Sequence, residues 1–214
     1  MADDIARSCA DCPLGLCAGH HPEKSHPPFC VSDGLTEDQR DKSLARYTED
    51  PEDQKVLQAA ASVEADGYRK WPRVEETIEF ARRLGAKKIG IATCVALLKE
   101  TRVLTKILRS HGFEVYGVAC KAGEISKETL GIPPEFYGPG TVSCNPILQA
   151  QLLNEAGTDL NIVMGLCVGH DSLFYKYAQA VTTTLVVKDR VLMHNPVMAL
   201  YTADNYHSYL IKKE

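Results

Sequence analysis

Residues 87–94 read "KKIGIATC", a short apolar strand that stops on a cysteine. The elements downstream of it set the fold. Residues 95–110 carry apolar side chains at helical spacing, with Leu97, Leu104 and Leu108 on the buried face, and Gly112 closes the helix. "FEVYGVAC" (113–120) is a second strand that again ends on a cysteine. "CNPILQAQLLNEAG" (144–157) predicts a helix with Asn145 at its N-cap and Pro146 in its first turn. "DLNIVMGLC" (159–167) is a third strand, and a short helix from about Asp171 leads to a fourth, "VTTTLVV" (181–187). Strands alternating with helices imply right-handed crossovers. The expected fold is therefore α/β: a doubly wound, mainly parallel, Rossmann-like sheet with helices on both faces.

Upstream, Thr36 and Gln39 in "TEDQ" form a capping-box signature. Asp50-Pro51-Glu52-Asp53 opens a helix running to about Asp66. Val74, Ile78, Ala81 and Leu84 mark a further helix from Pro72, stopped by Gly85. The first 35 residues follow neither a helical nor a strand period and cannot bury a core. Two parts result: a cysteine-rich segment, 1–35, and an α/β domain, 36–214, whose N-terminal part is helical. Residues 121–143 are a long loop placed to lid the sheet's crevice. "VVKDRVLMHNP" (186–196) is either a hairpin turning at Lys188–Arg190 or a strand followed by a loop.

Composition narrows the function. A net charge of −4 and the absence of a Lys/Arg run give nucleic acid no electrostatic footing. No apolar run approaches the roughly 20 residues that span a bilayer. The acidic start "MADDIARSCADC" lacks the apolar core of a secretory signal. The expected location is the cytoplasm. There, thiols do not persist as structural disulfides, so eight cysteines point to metal or redox chemistry.

The cysteines fall into two sets. Cys9, Cys12, Cys17 and Cys30 have the spacing C-x2-C-x4-C-x12-C. Four thiolates could hold one metal centre there, which would also order a segment without a core. One short pair with two wide singles is more typical of an iron–sulfur cluster than of structural zinc. Exchange of a cysteine for His20, His21 or His26 would favour zinc. In the second set, Cys94, Cys120 and Cys167 each end a predicted strand, and Cys144 precedes a helix. Between successive members lie 25, 23 and 22 residues, close to one strand–helix unit each. The carboxyl ends of an open α/β sheet converge on a crevice, so these four thiols should meet there and bind a second centre, a cluster of the 4Fe–4S type.

His170, three residues after Cys167, is the candidate catalytic group, a proton donor at that centre; ligation and helix capping are its alternatives. Lys188, Asp189, Arg190 and His194 would overhang the crevice if the fourth strand is parallel, although a solvated turn is the preferred reading. "GLCAGH" (15–20) and "GLCVGH" (165–170) echo each other, but their surroundings differ too much for a duplicated domain. Glycines beside a ligating cysteine permit tight geometry and aim amides at sulfur, so shared local chemistry is the favoured explanation.

"CADCPLGLC", "IGIATC", "SCNPILQAQLLN", "DLNIVMGLCVGHDSLFYK" and "TLVVKDRVLMHNP" together resemble an uncharacterised prokaryotic family of small cysteine-rich proteins, described only as metal-binding and of unknown function. The resemblance covers nearly the whole chain. It implies metal binding through the cysteines at 9, 12, 17, 30, 94, 120, 144 and 167. It supplies no reaction.

The expected function is that of a metal-binding protein with two cysteine-ligated centres, iron–sulfur at the crevice and iron–sulfur or zinc at the front. It would act in electron transfer, or in reductive chemistry on a small molecule, with an electron-transfer protein or that molecule as partner. A non-catalytic zinc or transition-metal binder is one alternative. A thiol redox protein with a structural zinc is another. No nucleotide motif is present: no G-x-G-x-x-G follows a strand, and there is no P-loop lysine.

Overall fold

The computed structural model describes residues 6–19 and 25–211. Its chain divides into two compact units, Met1–Gln58 and Ala59–Glu214.

In the first unit, α1 (Val31–Gly34) and α2 (Glu37–Glu49) contain no buried residue. Local chemistry therefore defines these helices. The expected capping box is formed: Thr36 Oγ1 accepts from the Gln39 amide at 3.2 Å, and Gln39 Oε1 accepts from the Thr36 amide at 3.0 Å. Such a cap stabilises a helix by about 1 kcal/mol. Helix α3 (Pro51–Gly67) starts as expected, with Asp50 Oδ1 accepting from the amides of Glu52 and Asp53.

The second unit is the α/β domain. Its helices are α4 (Arg73–Arg83), α5 (Leu98–Ser110), α6 (Pro146–Glu155), α7 (His170–Tyr177) and α8 (Val197–Tyr201). Its strands are β1 (Lys88–Thr93), β2 (Glu114–Ala119), β3 (Leu160–Met164) and β4 (Val181–Val186). They form one all-parallel sheet in the order β2-β1-β3-β4. This is the Rossmann-like arrangement expected from the alternation of elements.

Strand parity explains the two layers. Ile89 and Ile91 of β1, with Leu160, Ile162 and Met164 of β3, face α4 and α5, where Ile78, Ala81, Leu104 and Leu108 complete one core. Ala92 and Val163 point the other way, against Ala150 and Leu153 of α6 and Phe174 of α7. Each fully buried large side chain contributes roughly 1.5–3 kcal/mol. The central strand β3 is buried throughout, whereas the edge strand β2 is largely exposed.

One irregularity matters for the site. Val163 pairs with Thr184, but Met164 pairs with Val186, so β4 carries an extra residue at Leu185. A bulge of this kind shifts the in–out alternation of every later residue. Beyond it, "VVKDRVLMHNP" is a strand followed by a loop and α8, which settles the tail against the hairpin. Within 121–143, the expected loop is confirmed, with one short 3-10 turn at Pro134–Phe136.

A candidate thiol centre at the carboxyl edge of the sheet

The strand order reverses between β1 and β3, where a ligand crevice opens in doubly wound sheets. Cys94 stands one residue past β1, and its amide donates to Met164 O on β3 at 3.1 Å. Cys120 stands one residue past β2, and its amide donates to Thr93 O at 2.7 Å. Cys120 O in turn accepts from the Asn145 amide at 2.7 Å, which draws the loop carrying Cys144 to the same edge. Asn145 caps α6 as expected, its Oδ1 accepting from the Leu148 amide at 3.0 Å. Cys167 follows β3 by way of Gly165. That glycine has φ of 71°, and a Cβ there would lie 2.1 Å from Leu97 Cδ1. Only glycine fits both the left-handed turn and the packed leucine.

Two thiols of the second set are thereby brought into contact, with Cys94 and Cys167 following neighbouring strand ends. Cys144 Sγ lies 3.6 Å from Cys120 Sγ, and Cys94 interacts with Cys120. Cys120 Sγ accepts from the Val95 amide at 3.4 Å. Cys167 receives a hydrogen bond from Arg190 Nη2 at 3.0 Å, and lies within electrostatic reach of Cys144. Cys94 and Cys120 are buried, while Cys144 and Cys167 are partly exposed.

Protonation is shared unequally along this chain. The hydrogen bond shared with Cys120 holds Cys144 down at about 7, against the opposing effect of burial. The same bond pushes Cys120 up. Its hydrogen bond to Cys120, reinforced by burial, pushes Cys94 far above the usual thiol range. Of the three, Cys144 is the thiol held towards its ionised form.

His170 opens α7. Its backbone amide donates to Cys167 O at 2.9 Å, and its Nδ1 is buried with no hydrogen-bond partner among the described residues. Asp171 caps the turn, with Oδ1 accepting from the amides of Gly169 and Ser172.

The preference for a solvated turn at residues 188–190 is overturned at Lys188, while Arg190 is exposed. Lys188 is only 8% exposed, and its charge acts on the Cys94 thiol. Arg190 reaches Cys167. The loop that presents them is locked reciprocally. His194 N donates to Asp189 O at 2.9 Å, and Asp189 N donates to His194 Nδ1 at 3.1 Å. Asp189 Oδ1 accepts from the amides of Val191 and Leu192. Those amides hold the Asp189 carboxyl below its usual range. Met193 and His194 both take left-handed backbone conformations within this loop.

Gln149 on α6 escaped the sequence reading. It is fully buried, and its Nε2 donates to Thr93 O at 3.1 Å and Val118 O at 2.7 Å. Thr93 is the last residue of β1 and Val118 the last but one of β2. Gln149 thus ties together the strand ends that carry Cys94 and Cys120. A glutamine amid the apolar residues of "CNPILQAQLLN" was the only signal.

In the first unit, Cys9 and Cys12 share a turn, with the Cys12 amide donating to Cys9 O at 3.2 Å. Backbone amides of Gly15 and Leu14 lower the Cys12 thiol. Ser8 N donates to Phe29 O, and Arg7 donates to Cys30 O at 2.8 Å, which returns the segment towards Cys30. Cys9 and Cys17 are exposed. His26 pairs with Asp33 at 3.0 Å, and His20 and His21 lie outside the described residues. Among the described residues, no three His, Cys, Asp or Glu side chains already stand arranged to hold a metal ion.

A surface pocket of about 510 Å³ lies elsewhere, with Val63, Arg73, Glu76 and Thr183 among its walls. No cysteine or histidine lines it. Among the described residues, no helix is long and apolar enough to cross a membrane.

Fold and site define a Rossmann-like α/β protein with a thiol cluster at its topological switch point. Residues 30–185 match the family model described as "Protein of unknown function (DUF1847)", and the chain belongs to that family. All four crevice cysteines and Cys30 fall inside the match; Cys9, Cys12 and Cys17 precede it. The chain is also 48% identical over 172 residues to an uncharacterised protein of Methanocaldococcus jannaschii, covering 80% of this chain and 86% of that one.

Proposed function

We propose that this is a cytoplasmic metalloprotein whose crevice binds a cysteine-ligated centre, an iron–sulfur cluster, for electron transfer or reductive chemistry on a small molecule. One observation carries the reading: Cys120 and Cys144 bring their sulfurs within 3.6 Å at the sheet's carboxyl edge, where Cys94 and Cys167 also follow strand ends. Their donor chemistry fits. An all-sulfur set selects soft metals and clusters over magnesium or calcium. Cys94, Cys120, Cys144 and Cys167 would hold the group, which would supply one-electron chemistry. His170, with its buried and unpartnered Nδ1, is the proton donor of this reading. Cys9, Cys12, Cys17 and Cys30 would hold a second, front centre, a cluster or zinc, that orders a unit short of core.

A zinc reading of the crevice has one observation in its favour. The 3.6 Å between Cys120 Sγ and Cys144 Sγ is near the ~3.8 Å edge of a tetrahedron with Zn–S bonds of about 2.3 Å. Iron, zinc and acid-labile sulfide measured on anaerobically purified protein decide between the two. Brown protein carrying iron and sulfide supports the cluster, and colourless protein holding zinc supports the alternative. Cys167→Ala should remove the crevice centre and leave the front one. Wild-type protein without metal, whose crevice thiols are free and mutually oxidisable, would sink the metal reading in favour of a thiol redox protein.

A further inference from the structure

At the sheet's carboxyl edge, Cys120 and Cys144 are the two thiols in direct contact, their sulfurs 3.6 Å apart. A disulfide bond is about 2.05 Å long, so closing this pair asks for a sulfur movement of about 1.5 Å, which side-chain rotation supplies. The backbone already holds the two residues side by side. Asn145 N donates to Cys120 O at 2.7 Å, which ties the residue next to Cys144 to Cys120 itself. Cys120 N donates to Thr93 O at 2.7 Å. Gln149, one turn along α6 from Asn145, donates from Nε2 to both Thr93 O and Val118 O, and so fixes the strand end that Cys120 follows.

Access separates the two sulfurs. Cys120 is only 2% exposed, whereas Cys144 is partly open to solvent. A small molecule arriving from outside therefore meets Cys144 first. The inner sulfur has a donor of its own, the Val95 amide, 3.4 Å from Cys120 Sγ. Such a bond favours negative charge on the sulfur that receives it.

We propose that Cys144 and Cys120 form a dithiol that exchanges with small disulfides, Cys144 as the attacking sulfur and Cys120 as the resolving one. Cys144 gives its proton to solvent and attacks one sulfur of a disulfide RSSR. That S–S bond breaks, and one RS⁻ leaves and takes up a proton, with R–S now joined to Cys144. Cys120 then releases its proton and attacks the Cys144 sulfur. The mixed bond breaks, and the second RS⁻ leaves with that proton. The products are a Cys120–Cys144 disulfide and two RSH: the protein gives up two electrons and the small disulfide receives them. Nothing in this exchange needs the metal of the reading above. A closed Cys120–Cys144 bond would remove two of the four sulfurs proposed to hold the centre, so disulfide and loaded centre are mutually exclusive states of one site.

The test uses full-length protein, reduced, treated with a chelator and then exposed to glutathione disulfide. Mass spectrometry and peptide mapping follow each cysteine. In the wild type, Cys120 should be found joined to Cys144, with no lasting glutathione adduct on either. Cys120→Ser should stop at the mixed disulfide and carry glutathione on Cys144. Cys144→Ser should lose the linkage and leave the buried Cys120 unmodified. Free thiols at both positions in the oxidised wild type would overturn the proposal. So would a lasting adduct on Cys144, a bond from Cys144 to Cys94 or Cys167, or glutathione on Cys120 in Cys144→Ser. The wild-type map decides on its own should a variant fail to fold. Because chelation precedes oxidation, the metal content of the protein as purified bears on the metal reading alone, and either can fail without the other.

Discussion

The two "GLC" turns are alike in their first three residues and unlike in everything that holds them. Gly15 and Gly165 are both left-handed, at φ of 56° and 71°, and each is followed by a buried leucine, Leu16 or Leu166. The turn then offers a cysteine. Cys17 is exposed, in a unit whose first two helices bury nothing. Cys167 stands at the end of the fully buried strand β3, with Arg190 on its sulfur. The echo is thus a shared way of presenting sulfur, set in two different scaffolds. Backbone ladders and two cores fix the crevice thiols before anything binds. On the proposed reading, the front thiols would depend on the centre they hold for most of their order.

The sharpest way to break that contrast is to compare protein before and after chelation of the proposed metal. Amides in residues 6–19 and 25–35 should then lose their hydrogen-exchange protection, while those of β1 and β3 keep theirs; unchanged protection at the front would end the distinction. Leu160→Ala should act in the opposite sense. It removes a fully buried side chain from the core that β1 and β3 share, and should cost about 2–5 kcal/mol in denaturant unfolding of the α/β unit. Front-segment exchange should not respond to it.

A finer comparison sets the two glycines against each other. Gly15→Ala meets nothing within 4 Å, so only the left-handed backbone opposes it, at about 1 kcal/mol. Gly165→Ala adds the collision with Leu97 and should cost about 2–4 kcal/mol. Equal losses would show that the two turns are held alike. The smallest effect concerns Asp159, which anchors the start of β1 by accepting from the amides of Lys87 and Lys88, both at 2.8 Å. Those bonds lower its pKa in the folded protein. Its contribution is therefore complete above the unfolded carboxylate value, and fades as pH falls through the lower folded one. Asp159→Asn should flatten that acid limb and change neutral-pH stability by under about 1 kcal/mol, since the group is exposed.

Much of this fold was readable because its signals are local. Alternating elements, the Thr36 capping box, Asn145 before Pro146, and Gly85 and Gly112 as helix stops all act within a few residues, and all stand in the structure. The placement of Cys94, Cys120 and Cys167 after strand ends was also legible, since one strand–helix unit per interval returns the chain to the same edge. Lys188 was not. Its burial follows from the bulge at Leu185 and from the closure of residues 189–194, neither of which leaves a periodic trace. Gln149 was missed for a related reason: its partners, Thr93 O and Val118 O, are 56 and 31 residues away. Polar groups that bond across the fold do not announce their partners in the chain.

The loop between Cys120 and Cys144 is tied at its base. Asn145 N bonds Cys120 O, Ser143 N bonds Ile125 O, and Lys127 N bonds Thr141 O. The interior, with Leu130 and Phe136 turned to solvent, lies beyond those ties. Doubling the length of such a loop costs only about 0.6 kcal/mol in closure entropy. Residues 130–138 are accordingly a port where a fluorophore-binding tag or an affinity handle can be spliced in without shifting Cys120 or Cys144 at the loop's base.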